Sequence, residues 1–285
     1  MAETILELRN VGYDYPTGEN ALSGIDLEIR TGDRLALLGA NASGKSTLLH
    51  ILDGLVFPSA GDAQAFGQTL DEDALQDPEF RGFFRSEVGL LFQNVEAQLF
   101  CATVEEDIAF GPLQLGLSVS ETRERIADSA RLCDVEHLLA RPSHGLSGGE
   151  KRRVALASML AVNPSVLLFD EPTAGLDPRT EYWLLQTLDQ LAAAGKTLVM
   201  ATHDLGFASE FADSAVALAE DHTVAARGTA QAILSDVELL LRVNLIHTHA
   251  HKHGRVRHIH PHLHYNLGHE HEHEPPAPEH PHPHP

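Results

Sequence analysis

Residues 34–52 read RLALLGANASGKSTLLHIL. The first five are of strand length and apolar after Arg34, and the last seven have helical spacing. Between them, Gly39-Ala40-Asn41-Ala42-Ser43-Gly44-Lys45-Ser46 fits the pattern G-x-x-x-x-G-K-[ST]. Glycines at both ends let the backbone curl so that several N–H groups converge. The N-terminus of the following helix adds its partial positive charge. A loop of this kind, with Asn41, Ser43 and Thr47 in it, suits the oxygens of a polyphosphate. Lys45 can reach the β- and γ-phosphates of a nucleotide, and the Ser46 hydroxyl can ligate Mg²⁺.

A nucleotide-hydrolysing site also needs an acid at the end of a buried strand. VLLFDEP (166–172) supplies two. Asp170 is placed to hold Mg²⁺ and Glu171 to orient and polarise an attacking water. An Asp-Glu pair after a strand is common at loop starts. Its weight here comes from its partnership with the phosphate loop.

The rest of the chain alternates in the same way. TILEL, IDLEI, RLALLG and VGLLFQ read as strands separated by turns over residues 4–92. From about residue 93 to 160 the pattern is helical, with ETRERIADSARL amphipathic. Strands return at VLLFD, TLVMAT (197–202) and SAVALA (214–219), and RTEYWLLQTLDQLAAAG between the first two is a helix closed by Gly195. Strand–helix alternation predicts an α/β domain with a largely parallel sheet. A helical piece over about 94–160 is inserted in it, and the folded domain ends near residue 242.

Composition bounds the rest. The formal charge of −21 argues against nucleic-acid binding. From Asn244 onward four acids meet three bases, so the tail holds only −1 and the body about −20, which favours a basic partner surface. No apolar run is long enough to span a membrane. The start, MAETILELRN, lacks the basic and apolar regions of a signal peptide. Cys101 and Cys133 are too few for a disulfide framework or a structural zinc site.

Further motifs carry a family resemblance. LSGGE (Leu146–Glu150) resembles the signature motif of the ATP-binding cassette (ABC) ATPases. Gln93 matches their Q-loop glutamine, AGLD (Ala174–Asp177) their D-loop, His203 their switch histidine, and Tyr15 an aromatic that stacks on adenine. The resemblance spans roughly residues 4–240. It implies a RecA-like parallel-sheet core with an antiparallel β part and a helical subdomain. It also implies a head-to-tail dimer, expected to be a homodimer, in which one subunit's phosphate loop faces the other's signature. Ser147, Gly148 and Gly149 would form a second anion cradle, with Glu150 standing where the family most often has Gln. ATP and Mg²⁺ are the implied ligands. Lys45, Gln93, Glu171 and His203 are expected to serve the chemistry, Ser46, Gln93 and Asp170 the magnesium, and Asp177 the nucleotide interface. Plainer readings exist for three of these: Gln93 as a strand end, His203 as a helix cap, Tyr15 as packing beside Tyr13.

The stretch LLFQNVEAQLF (90–100) resembles the ATPases of energy-coupling-factor (ECF) importers of cobalt, nickel and vitamins, with Val95 in place of the usual proline. There this segment meets arginine-bearing helices of the membrane subunits, and Glu96 and Gln98 are suitable partners for guanidinium. The expected location is the cytoplasmic face of the cell membrane.

Fourteen of the 19 histidines fall in 247–285. This tail lacks an apolar pattern and is rich in proline, so it is expected to be disordered without metal. His269, His271 and His273 alternate with glutamates, and imidazole suits Ni²⁺ and Co²⁺ among other borderline divalent ions. The irregular 39-residue stretch does not resemble a purification tag. Inert filler and a metal-binding arm remain. The sequence therefore predicts the ATPase of an ECF-type nickel or cobalt importer. The alternatives are an ABC ATPase for zinc or a vitamin, or a metal-storage or metallochaperone protein with a nucleotide switch.

Overall fold

The first 30 residues set up a corner of antiparallel structure. Strand β1 (Thr4–Asp14) pairs with β2 (Asn20–Arg30), whose residues alternate buried and exposed from Ile25 to Arg30. One face of this ribbon therefore packs on a core while the other meets water. In this computed structural model, residues 2–253 and 256–262 are described, the segments 248–253 and 256–262 in their backbone alone.

The chain then enters the second sheet with β3 (Arg34–Leu38) and turns through the glycine-bearing loop into helix α1 (Lys45–Leu52). It returns to the first sheet for β4 (Ala60–Ala65) and the short β5 (Gln68–Thr69). Helix α2 (Pro78–Glu87), capped by Asp77, lies inside the stretch expected to be strands and turns. Its two deeply buried residues, Phe80 and Phe84, are four apart, too sparse a pattern to announce a helix. Strand β6 (Val88–Leu91) follows, and then the helical insertion: α3 (Val104–Gln114), α4 (Val119–Leu132) and α5 (Gly148–Val162). The remaining elements are β7 (Val166–Asp170), α6 (Pro178–Ala193), β8 (Thr197–Thr202), α7 (Leu205–Phe211), β9 (Ser214–Leu218), β10 (Val224–Thr229), α8 (Ala230–Ser235) and α9 (Val237–Arg242). Last come β11 (His247–His253) and β12 (Val256–His262).

The first sheet is antiparallel with order β2-β1-β4-β5. The second has order β10-β9-β3-β8-β7-β6 and is parallel except for the edge strand β10. Its strands are covered on both faces, as the alternation of their side chains shows. Leu35 and Leu37 of β3, Val166 and Leu168 of β7, and Val199 and Ala201 of β8 join one core with α1 and the antiparallel sheet. Leu167, Phe169, Leu198 and Met200 face the other way, into a core with the inserted helices and α6. A third core lies under α7, α8 and α9.

That third core takes in Val243, Leu245 and Ile246, all buried. The packed body therefore runs four residues beyond the compositional break at 242. Cys101 and Cys133 are both free, and burial pushes the Cys133 thiol up to about 12. Among the described residues no helix is long and apolar enough to cross a membrane.

Candidate nucleotide site

In a parallel sheet the strand ends at one edge line a crevice, and ligands bind there. The register aligns Leu38 of β3 with Thr202 of β8, Ala201 with Asp170 of β7, and Phe169 with Leu91 of β6. The loops that follow these four ends carry Gly39, His203, Glu171 and Gln93, so one edge of the sheet gathers motifs separated by more than 160 residues. A cleft of about 850 Å³ opens here, lined by Tyr15, Asn41, Gly44, Lys45, Ser46, Thr47, Gln93, Glu171 and five neighbours.

The loop depends on its glycines. Gly44 caps α1 at φ 102°, and a Cβ there would come within 2.4 Å of the Ala21 carbonyl oxygen. A Cβ on Gly39 would meet Ser43 Oγ at 2.4 Å. Ser43 is itself buried, and its Oγ has no protein partner.

Lys45 is buried and its Nζ donates to the carbonyls of Gly39 (2.8 Å) and Ala40 (3.0 Å). The same ammonium lies 3.5 Å from Glu171 Oε1. Burial lowers the Lys45 pKa, and the charge of Glu171 opposes that shift. Ser46 Oγ donates to Asp170 Oδ1 at 3.0 Å, and burial raises the Asp170 pKa against this bond. A hydroxyl and a carboxylate side by side, with the Gln93 amide lining the same cleft, form a hard oxygen donor set that fits Mg²⁺.

Glu171 is the most constrained of these groups. Its φ of 44° lies in the left-handed region, uncommon for a side chain of this size. Its N–H bonds to the Ala201 carbonyl, and its Oε2 accepts from Thr202 Oγ1 (3.3 Å) and the His203 N–H (3.4 Å). His203 Nδ1 lies 2.9 Å from Oε2, but its angle does not make a hydrogen bond, leaving that nitrogen unsatisfied. Strain of this kind persists only when the surroundings enforce it, and it clusters at functional sites.

One enforcing residue escaped the sequence reading. Arg152 of α5 is buried and donates to the backbone carbonyls of Glu171 (3.1 Å), Pro172 and Gln93 (3.3 Å). It ties the loops after β6 and β7 to the inserted helices. Its position in a run of three basic residues gave no hint of burial.

Tyr15 does pack edge-on against Tyr13, with ring centroids 5.3 Å apart, but the two rings have different surroundings. Tyr13 packs against the first core, whereas Tyr15 lines the cleft, 42% exposed, with its hydroxyl 2.7 Å from Thr47 Oγ1. Ser147, Gly148, Gly149, Glu150 and Asp177 do not line the cleft. Ser147 and Glu150 form a capping box at the start of α5. Glu150 N–H donates to Ser147 Oγ (3.3 Å), and Glu150 Oε2 accepts from the Ser147 N–H (2.7 Å). Either Glu or Gln can close such a box, which accounts for the unusual signature residue. Asp177 caps α6 through the N–H groups of Arg179 and Thr180. Of the coupling candidates, Glu96 is exposed and pairs with Lys151 at 2.5 Å. Gln98 is committed to its own chain, accepting from Phe92 N–H (3.0 Å) and donating to the Leu90 carbonyl (2.8 Å). His269, His271 and His273 lie outside the described residues.

The profile of the ABC transporter family matches residues 22–174, more than half of the chain. This chain is an ABC transporter ATP-binding protein. The cassette is 47% identical over 243 residues to the nickel import ATP-binding protein NikO of Rhodobacter capsulatus, covering 84% of this chain and 95% of that one. It is 40% identical over 241 residues to the energy-coupling factor transporter ATP-binding protein EcfA of Methanothermobacter thermautotrophicus, covering 85% and 76%. Among solved structures, cbiO1 of Clostridium perfringens, part of the ABC transporter complex cbiONQ, superposes with a TM-score of 0.73. It is 34% identical, over 85% of this chain and 95% of that one. The cassette thus belongs to a family of ATPases that power transporters.

Proposed function

We propose that this cassette hydrolyses ATP with Glu171 as the base and thereby drives an ECF-type importer of nickel or cobalt ions. The observation that carries the catalytic part is the position of Glu171, whose buried carboxylate lies 3.5 Å from Lys45 and next to the Ser46–Asp170 pair. A carboxylate there can accept a proton from water attacking the γ-phosphate. Lys45 and the loop N–H groups would hold the β- and γ-phosphates, and Tyr15 would meet the adenine at the cleft mouth. Ser46, Asp170 and Gln93 would hold Mg²⁺, which neutralises charge on the phosphates when bound. His203, against Glu171, would orient that carboxylate and meet the γ-phosphate.

The signature helix start lies away from its own cleft, which supports a dimer in which Ser147, Gly148 and Gly149 close on the partner's nucleotide. A helix N-terminus is suited to that role. The membrane subunits would dock beside β6, where Phe100 (63% exposed) and Phe110 pack edge-on at 4.8 Å near Glu96. Nickel or cobalt as cargo is supported by the likeness to NikO and by the histidine-rich C-terminus. The body's acidity suits a basic partner, and the expected location is the inner face of the membrane.

Uptake of radioactive nickel and cobalt by cells expressing this chain with its membrane subunits tests the reading. Accumulation that disappears with Lys45→Ala is the expected result. ATP hydrolysis without metal accumulation in the complete complex would point instead to a vitamin or another cargo.

A further inference from the structure

The strands β11 and β12 form a two-stranded sheet of their own, paired with no other strand among the described residues. Their antiparallel register sets His247 opposite His262, His249 opposite His260, and His251 opposite His258. The intervening pairs are Thr248 with Pro261, Ala250 with Ile259, and Lys252 with Arg257, and the ribbon closes on His253 with Val256. Successive residues of a strand alternate between faces, and directly opposed residues share one. His247, His249, His251, His253, His258, His260 and His262 therefore share a single face, and the other face carries no histidine. A one-residue shift of register would have split this set between two faces.

We propose that this face of the ribbon is a binding site for borderline divalent cations such as Ni²⁺, Zn²⁺, Co²⁺ and Cu²⁺, with the two central cross-strand pairs, His249/His260 and His251/His258, as its core. Opposed residues have Cβ atoms about 4.5–5.5 Å apart, and diagonal neighbours about 7–8 Å. The register thus puts four histidine positions, in two adjacent cross-strand pairs, on one face, and four imidazoles are the number a tetrahedral or tetragonal coordination sphere takes. The face carries imidazole and no carboxylate, which selects against Mg²⁺ and Ca²⁺. Elsewhere among the described residues, no cluster of three or more His, Cys, Asp or Glu side chains is arranged to hold a metal ion.

Metal also answers a problem of stability. An isolated two-stranded ribbon is marginal in water. An ion ligated from both strands stabilises the paired form, because it binds that form better than the open chain. Pro261 is compatible with this arrangement, since a proline is tolerated where its strand has a free edge. The body's excess negative charge draws cations toward the chain. Ligation needs neutral imidazole, so occupancy falls as pH drops through about 6.5. The site stands whether or not the transported cargo is a metal.

Calorimetry on the full-length protein with NiCl₂ and with ZnCl₂ at pH 7.5 tests the proposal. Two fourfold variants remove the same number of imidazoles. One carries His249→Ala, His251→Ala, His258→Ala and His260→Ala; the other carries His264→Ala, His269→Ala, His271→Ala and His273→Ala. The first is expected to lose the tightest site, weakening binding at least tenfold, while the second keeps it. Any heat from MgCl₂ should be the same in all three proteins, since the magnesium donors lie in the nucleotide cleft. All three proteins should hydrolyse ATP at the same rate, since every nucleotide motif lies before residue 204. The proposal is overturned if the ribbon variant keeps the tightest site, or if both variants weaken binding equally.

Discussion

Arg152 joins three backbone carbonyls around the site, two of them at Glu171 and Pro172. Arg152→Met keeps the bulk but leaves those buried acceptors without a donor, at about 1–3 kcal/mol for each unpaired group. The melting temperature and kcat should both fall, and kcat more than the KM for ATP rises, because the loss concerns the placing of Glu171. Steady-state kinetics with thermal unfolding checks this; an unchanged kcat would remove Arg152 from the site. Asp53 yields a second prediction. Burial raises its pKa to about 7 despite the neighbouring Arg85. The folded state thus holds a proton that the unfolded chain would release near pH 4. Stability from this group is present in acid and lost as pH rises through about 7. Relative to Asp53→Asn, the wild type should weaken between pH 5.5 and 8.5 in denaturant titrations, and a constant difference would contradict the assignment. At this scale the sequence was legible wherever chemistry fixes spacing: Gly39, Gly44 and Lys45 have to stand where they do to curl a loop around phosphate. Arg152 was opaque because its partners are carbonyls 19 or more residues away, which no local pattern encodes.

The inserted helices announce themselves by their starts. Thr103/Glu106, Ser118/Glu121 and Ser147/Glu150 are all capping boxes. In the third, Glu150→Gln should leave melting temperature and hydrolysis near wild type, because glutamine can still bond back to the Ser147 N–H. Glu150→Ala should cost about 1 kcal/mol, the usual worth of a cap contact. If Glu150→Gln proved as damaging as Glu150→Ala, the carboxylate charge would matter beyond capping. Helix α2 stayed hidden because its buried face is two phenylalanines wide and flanked by glycine and charge. The segment 94–100 was read as a contact surface in which Glu96 and Gln98 act alike. The structure divides them: Glu96 is free to exchange Lys151 for a partner's guanidinium, while Gln98 pins the end of β6. Glu96→Ala should therefore affect transport and spare basal hydrolysis, whereas Gln98→Ala should lower the stability of the isolated subunit.

For the whole molecule, the placement of the ends of β3, β6, β7 and β8 at one edge follows from the parallel sheet, which strand–helix alternation already implied. The end of the packed body did not follow. Val243, Leu245 and Ile246 are buried although the composition changes at 242. Truncation after Ile246 should leave a folded, active ATPase. Truncation after Arg242 removes three buried aliphatic side chains, each worth about 1.5–3 kcal/mol, and should lower the melting temperature sharply. Equal melting temperatures would mean the third core closes without them. The central claim is that Glu171 activates water within a dimer whose two cradles shut on ATP. Its most direct test is Glu171→Gln with MgATP, following phosphate release and sedimentation together. The account predicts turnover reduced at least about a hundredfold, with an ATP-loaded dimer accumulating, because closure needs nucleotide and reopening needs hydrolysis. Wild-type turnover, or a monomer that binds ATP and never dimerises, would contradict it.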